Sequence, residues 1–253
     1  MESYLVEFAG LPGAGKSAIS HALARLLRQR GLPVTVPRYD LDHRAAAPAR
    51  VARKLAWTCA EVLRRPGATG RWLGALRRSR QPGVGVLATV AANWLQLGAL
   101  MHRAARRPGV HLFDEGLLQA LWSAGYEARA PEAAWPDLER ALGAALPARL
   151  TVVAVDAPAD ALRRRLERRP PASRLDRALA RGGESWDAGL ARATAVYSAV
   201  LATAERLAAG GRLTLIRVRN DGATPGPAAV RIAATIPTAI QSERNWSTLF
   251  TSA

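Results

Sequence analysis

Gly10, Gly13 and Gly15, followed at once by Lys16 and Ser17, are the residues of this chain best suited to chemistry: GLPGAGKS spaces them as G-x-x-x-x-G-K-S. The glycines let backbone N–H groups converge on a phosphate without obstruction by Cβ atoms. A helix that begins near Lys16 adds the positive end of its dipole. Lys16 would then reach the outer phosphates of a nucleotide, and the Ser17 hydroxyl would hold Mg²⁺. Gly10, Pro12, Gly13, Ala14, Gly15, Lys16, Ser17 and Ala18 are therefore the expected nucleotide-phosphate site. Lys16 is one of only two lysines, Lys54 being the other, in a chain that otherwise uses arginine. It stands where a compact ammonium is wanted and a planar guanidinium is no substitute.

Acidic groups make a second set. HLFDEG (His111 to Gly116) is an apolar run ending in two carboxylates: Asp114 suits the Mg²⁺ shell and Glu115 suits orienting a hydroxyl or water. Asp40 and Asp42, in PRYDLDHR, are the better candidates for the base that takes a proton from an attacking hydroxyl, because they are expected at the end of the strand next to the one that leads into the glycine-rich loop. DALRRRLERR (Asp160 to Arg169) puts Leu162 and Leu166 on one helix face and arginines on the others. Arg165 and Arg169, four apart, could act from one side of that helix on a transferring phosphoryl group.

These residues need elements to hold them. Leu5, Val6 and Phe8 make a short strand before the loop, and Ile19, Leu23, Leu26 and Leu27 recur at helical spacing after it. Five apolar runs read as strands, Tyr4 to Ala9, Pro33 to Val36, Val110 to Phe113, Leu150 to Asp156 and Leu213 to Val218, with helical patterns between them. That order predicts an α/β fold of the P-loop NTPase type, a three-layer sandwich around a five-stranded parallel sheet. Ligands bind such sheets beyond the carboxyl ends of the strands, which is where the polar groups above cluster. One domain is expected over residues 1–236, with a basic helical substrate region at 44–108 and an arginine-rich lid at 160–178. Residues 237–253 lose the Ala/Arg-rich character and are expected to form a tail.

Charge and composition narrow the setting. The net charge is +16, and between Arg38 and Arg107 there are 14 Lys or Arg against three acids. An anionic partner is implied, and nucleic acid is one such partner. Trp57, Trp72 and Trp94 interleave with this basic region and serve either as core or as stacking surfaces for a polynucleotide. Cys59, the single cysteine, excludes an internal disulfide; it is expected to be a small buried residue in a reduced, cytoplasmic setting. MESYLVEF carries no signal-peptide pattern. Val84 to Met101 is uncharged, but Thr89, Asn93, Gln96 and its glycines make it a buried helix rather than a span, so no membrane partner is expected. A homodimer stays open.

In GLPGAGKS, the acidic strand end at Arg38 to Asp42, FDEG, the arginines from Arg163 to Arg174 and RNDGATPGPAAVRIA (Arg219 to Ala233), the chain resembles the nucleoside and nucleotide kinase group of P-loop proteins, the thymidylate kinase-like and deoxynucleoside kinase-like enzymes. The resemblance implies ATP and Mg²⁺ as cofactors, lid arginines on the phosphates, and Asn220 and Asp221 in a loop against the adenine. Thymidylate kinases usually carry Asp-Arg after the third strand, where this chain has Asp114-Glu115. The expected function is accordingly that of a kinase transferring the γ-phosphate to a hydroxyl or phosphate of a small, nucleoside-like or nucleotide-like acceptor. Two alternatives are a polynucleotide or modified-base DNA kinase that uses the basic region, and an ATPase that uses Asp114-Glu115 to polarise water. A GTPase is disfavoured, since neither lysine sits in a guanine-reading Asn-Lys-x-Asp or Thr-Lys-x-Asp loop.

Overall fold

The computed structural model describes residues 2–38, 47–168, 175, 185–221 and 224–236. Strands β1 (Ser3–Ala9), β2 (Val34–Thr35), β3 (Gly109–Phe113), β4 (Leu150–Asp156) and β5 (Thr214–Arg219) form one sheet in the order β2-β3-β1-β4-β5. Every pairing is parallel, with Leu5 opposite His111 on one side and Leu150 on the other. β1 and β3 are apolar runs buried on both faces, the pattern a covered parallel sheet demands. The sequence therefore located all five strands, although β2 is shorter than its apolar run and β5 is shifted by one residue; β2 was expected next to β1 but pairs with β3, which lies between them.

The helices are α1 (Lys16–Gln29), α2 (Ala47–Arg64), α3 (Pro66–Arg78), α4 (Val84–Ala104), α5 (Leu117–Glu127), α6 (Pro131–Ala145), α7 (Ala159–Glu167), α8 (Trp186–Ala209) and α9 (Gly226–Thr235). The chain leaves β1 toward β2 in one direction and crosses from β3 to β4 and β5 in the other. Right-handed crossovers then send α1 to one face and the helices that follow β2, β3 and β4 to the opposite face. Packing agrees: α1 lies against α9, while α5 lies between α4 and α8. The result is the expected three-layer sandwich. β1 carries the reversal of direction, so its carboxyl end is the crevice where a ligand fits.

Between β2 and β3 the basic region is indeed helical. Its core is a pair of stacked indoles, Trp72 of α3 and Trp94 of α4, with centroids 3.7 Å apart and planes at 13°. Both are buried, so neither offers a stacking surface to a polynucleotide. Trp57 of α2 is half-buried, with the Arg103 guanidinium 4.7 Å from its ring centre. Among the described residues α4 is the helix long and apolar enough to cross a membrane, yet it packs one face against α2, α3 and α5. The expectation for Cys59 fails: it is exposed, because α2 turns toward α4 with Glu61 rather than with its aliphatic side.

Candidate active site

The glycine-rich loop runs from the end of β1 into α1. Gly13 and Gly15 have φ of 84° and 94°, the left-handed region, and a Cβ on Gly15 would lie 2.3 Å from Asn220 Nδ2. No side chain caps α1 and its first turn holds no acid, so its dipole end stays open to an anion. Lys16 lies back over the loop and donates from Nζ to the carbonyls of Gly10 at 2.8 Å and Leu11 at 3.1 Å.

Ser17 donates from its hydroxyl to Asp114 Oδ2 at 2.9 Å, joining the start of α1 to the end of β3. The other oxygen, Asp114 Oδ1, is buried without a hydrogen-bond partner. A hydroxyl and a carboxylate with an uncommitted oxygen are hard donors that fit Mg²⁺. Among the described residues no group of three or more His, Cys, Asp or Glu gathers elsewhere as a metal site. Magnesium characteristically takes few protein oxygens and fills its shell with water and phosphate.

A carboxylate that sequence reasoning passed over lies beneath the loop. Glu7, in the middle of β1, is wholly buried and accepts from the backbone N–H of Leu118 at 2.7 Å and Gln119 at 3.2 Å through Oε1. It serves as the N-terminal cap of α5 from another strand, and a Cβ on Gly116 would fall 2.4 Å from its carboxyl carbon. Oε2 has no hydrogen-bond partner. Burial pushes the Glu7 carboxyl up to about 7, against the pull of those N–H donors. Gln119 in turn accepts weakly from Gly10 N–H at 3.4 Å, so Glu7 and Gln119 link α5 to the loop. The visible signal was a charge inside an otherwise apolar strand.

From the other side the loop is held by α7 and the end of β5. Arg165 donates to the carbonyls of Gly13 at 3.2 Å and Ala14 at 3.4 Å, and Asn220 Nδ2 donates to Ala14 O at 2.7 Å. Arg163 and Arg164 instead form surface pairs with Glu167 and Asp160 one turn away on α7. Asp221 pairs with Arg219 at the surface. Asn220 is thus a buried support of the loop in this geometry. Asp40, Asp42 and Arg169 lie outside the described residues, as do residues 237–253 and, of the segment expected to be the lid, residues 169–174 and 176–178.

The loop opens onto a cavity of about 490 Å³. Its floor is Gly13, Gly15, Lys16, Ser17 and Ala18; Thr89, Asn93 and Leu97 of α4 form one wall, and Gln119, Trp122 and Ser123 of α5 another. Arg38 and Glu115 also line it and form an ion pair with each other. Of the three carboxylates considered as a base, Glu115 is the one whose position is described, and it faces this cavity. Thr89, Asn93, Gln119 and Ser123 were not singled out from the sequence, because helix periodicity does not say which polar residue faces a cavity.

No protein-family model and no curated protein matches the chain. Among solved structures it is similar to a shikimate kinase from Acinetobacter baumannii in complex with shikimate, at 14% identity and a TM-score of 0.42 over 96% of this chain and 95% of that one. It is also similar to a deoxyadenosine kinase from M. mycoides with products bound, at 11% identity and a TM-score of 0.42 over 91% and 96%. A shikimate kinase from Bacteroides thetaiotaomicron shows 14% identity and a TM-score of 0.37 over 91% and 97%.

Proposed function

We propose that the protein is an ATP- and Mg²⁺-dependent kinase that transfers the γ-phosphoryl group to a hydroxyl of a small acceptor. One observation carries this reading: the phosphate-binding loop and a cavity of acceptor size share a single space, with Lys16 and Ser17 on the floor and neutral hydrogen-bonding side chains on the walls. A water-splitting ATPase has no use for such a cavity.

ATP would lay its phosphates along the Gly13 to Ala18 backbone and the open end of α1. Ser17 and Asp114 would hold Mg²⁺, which neutralises charge on the β- and γ-phosphates when bound. Lys16 would turn from the Gly10 and Leu11 carbonyls to the outer phosphates. Arg165 sits at the same edge of the cavity, where a guanidinium stabilises charge gathering on the phosphoryl group in flight. Glu115 would accept the hydroxyl proton, with Arg38 fixing its direction. Thr89, Asn93, Gln119 and Ser123 would orient the acceptor, and Leu97 and Trp122 would exclude water from it.

The test is ADP release from ATP over a panel of nucleosides, nucleotides, aminoglycoside-like alcohols and oligonucleotides. A kinase should hydrolyse ATP slowly alone and release ADP much faster with its acceptor. Lys16→Ala should lower that rate about 100-fold or more while the circular-dichroism spectrum is unchanged. Fast ATP hydrolysis indifferent to every acceptor would replace this reading with the ATPase.

A further inference from the structure

On α2 the usual arrangement of an amphipathic helix is reversed. Its inward side carries the polar contacts: Glu61 is buried, with its Oε1 2.8 Å from His102 Nδ1 of α4, and Trp57 packs under Arg103. The His102 imidazole beside it holds the Glu61 carboxyl below the ordinary carboxylate range. Its outward side is Val51, Ala52, Leu55, Ala56, Cys59 and Leu63, all exposed and falling on one face at helical spacing. Leu63 is 80% exposed and Leu55 61%. Of the six large apolar side chains exposed among the described residues, five lie on α2, α3 or the first residue of α4.

The same helices hold the charge. From residue 47 to 107 there are twelve Lys or Arg and one acid, the buried Glu61. Around the axis of α2, Arg53 and Arg64 lie beyond one edge of the aliphatic face and Lys54 beyond the other, all three nearer the inward side, so that their long side chains must reach back toward the stripe. An aliphatic stripe flanked by cations, with no exposed acid on its helix, matches a surface that is apolar inside and anionic at its edge. A second copy of the chain would set Arg53 and Arg64 against their own likes with no exposed acid on α2 or α3 to pair them. A polynucleotide would meet Val and Leu where it needs aromatic planes, and the indoles of Trp72 and Trp94 are spent on each other.

We propose that α2 is a membrane-surface helix, which lays its Val51 to Leu63 face into the interface of an anionic bilayer with Arg53 and Arg64 at the level of the lipid phosphates. This is a peripheral contact and needs no transmembrane segment. It holds whether or not the chain is a kinase.

The test is flotation of the whole protein with vesicles of phosphatidylglycerol and phosphatidylcholine in equal amounts, and with phosphatidylcholine alone. The protein should float with the first and not with the second, and less at high salt. Leu55→Asp with Leu63→Asp should lower the bound fraction about tenfold or more, with ADP formation and circular dichroism unchanged. If that pair misfolds, Leu55→Ser with Leu63→Ser gives the same reading with a smaller drop. An environment-sensitive dye on Cys59, the only cysteine, should shift to the blue on the anionic vesicles. Absence of flotation with the anionic vesicles overturns the proposal, and so does flotation that the leucine substitutions leave intact. A wild-type dimer in sedimentation that those substitutions split, without lipid binding, would assign the face to a second copy instead.

Discussion

At the carboxyl end of the sheet polar atoms are turned inward and held, whereas on α2 it is the apolar atoms that are turned outward. Both regions break the rule that charge lies outside and hydrocarbon inside, and they break it in opposite senses. Beneath the loop, burying Glu7 is costly, and α5 offsets part of the cost with two N–H donors. On α2, exposing Leu55 and Leu63 forgoes burial that a folded chain normally takes. The first departure is local, confined to the support beneath one glycine-rich loop. The second runs along a whole helix face, which is the extent of a contact surface.

The contrast requires that the helical layer share the core of the sheet domain. Trp72→Ala should then cost about 4 kcal/mol in urea unfolding, since it removes a fully buried indole stacked on Trp94. A cost near zero would make α3 an appendage, and the comparison would no longer concern one folded unit.

The Glu7 side of the contrast is read by pH. In the folded chain Glu7 keeps its proton up to about 7, against 4.5 for an ordinary glutamate. Between those values the folded state binds more protons than the unfolded one, so stability falls as pH rises through that window and levels off above it. The fall is on the order of 3 kcal/mol, and Glu7→Gln should remove this part of the slope in melts from pH 4 to 8. An unchanged slope would mean that the carboxylate is as comfortable inside as a surface glutamate.

Smallest is the effect expected on the other side. Leu63→Ser should change stability by less than about 0.5 kcal/mol. A loss of 2 kcal/mol would show that Leu63 packs within the monomer, and the outward face of α2 would cease to be a surface awaiting anything.

The two regions also differ in how far they could be read in advance. GLPGAGKS and FDEG are contiguous, and each turn chemistry is fixed by neighbouring residues, so the loop and the Asp114 corner were legible. So were the strands, whose apolar runs are bounded by turns. The cavity walls were not: Thr89, Asn93, Gln119 and Ser123 come from two helices whose facing sides are set by packing. Asn220 was placed by resemblance beside adenine; the hydrogen bond of its amide to the Ala14 carbonyl, a pairing 206 residues apart, is one that no local pattern encodes. The sequence marked α2 only as part of a helical, basic region. It could not tell that the polar stripe, not the aliphatic one, would face α4, because Glu61 finds His102 only in three dimensions.

α4 belongs to both regions. Its 21 residues make a rod about 31 Å long, with Thr89 and Asn93 near one end and His102 and Arg103 near the other. A straight helix does not twist internally without breaking its ladder of hydrogen bonds, so it turns as a piece. Any torque that α2 applies through Glu61 and Trp57 would therefore arrive, undiminished in angle, at the wall of the cavity, as the handle of a key turns its bit.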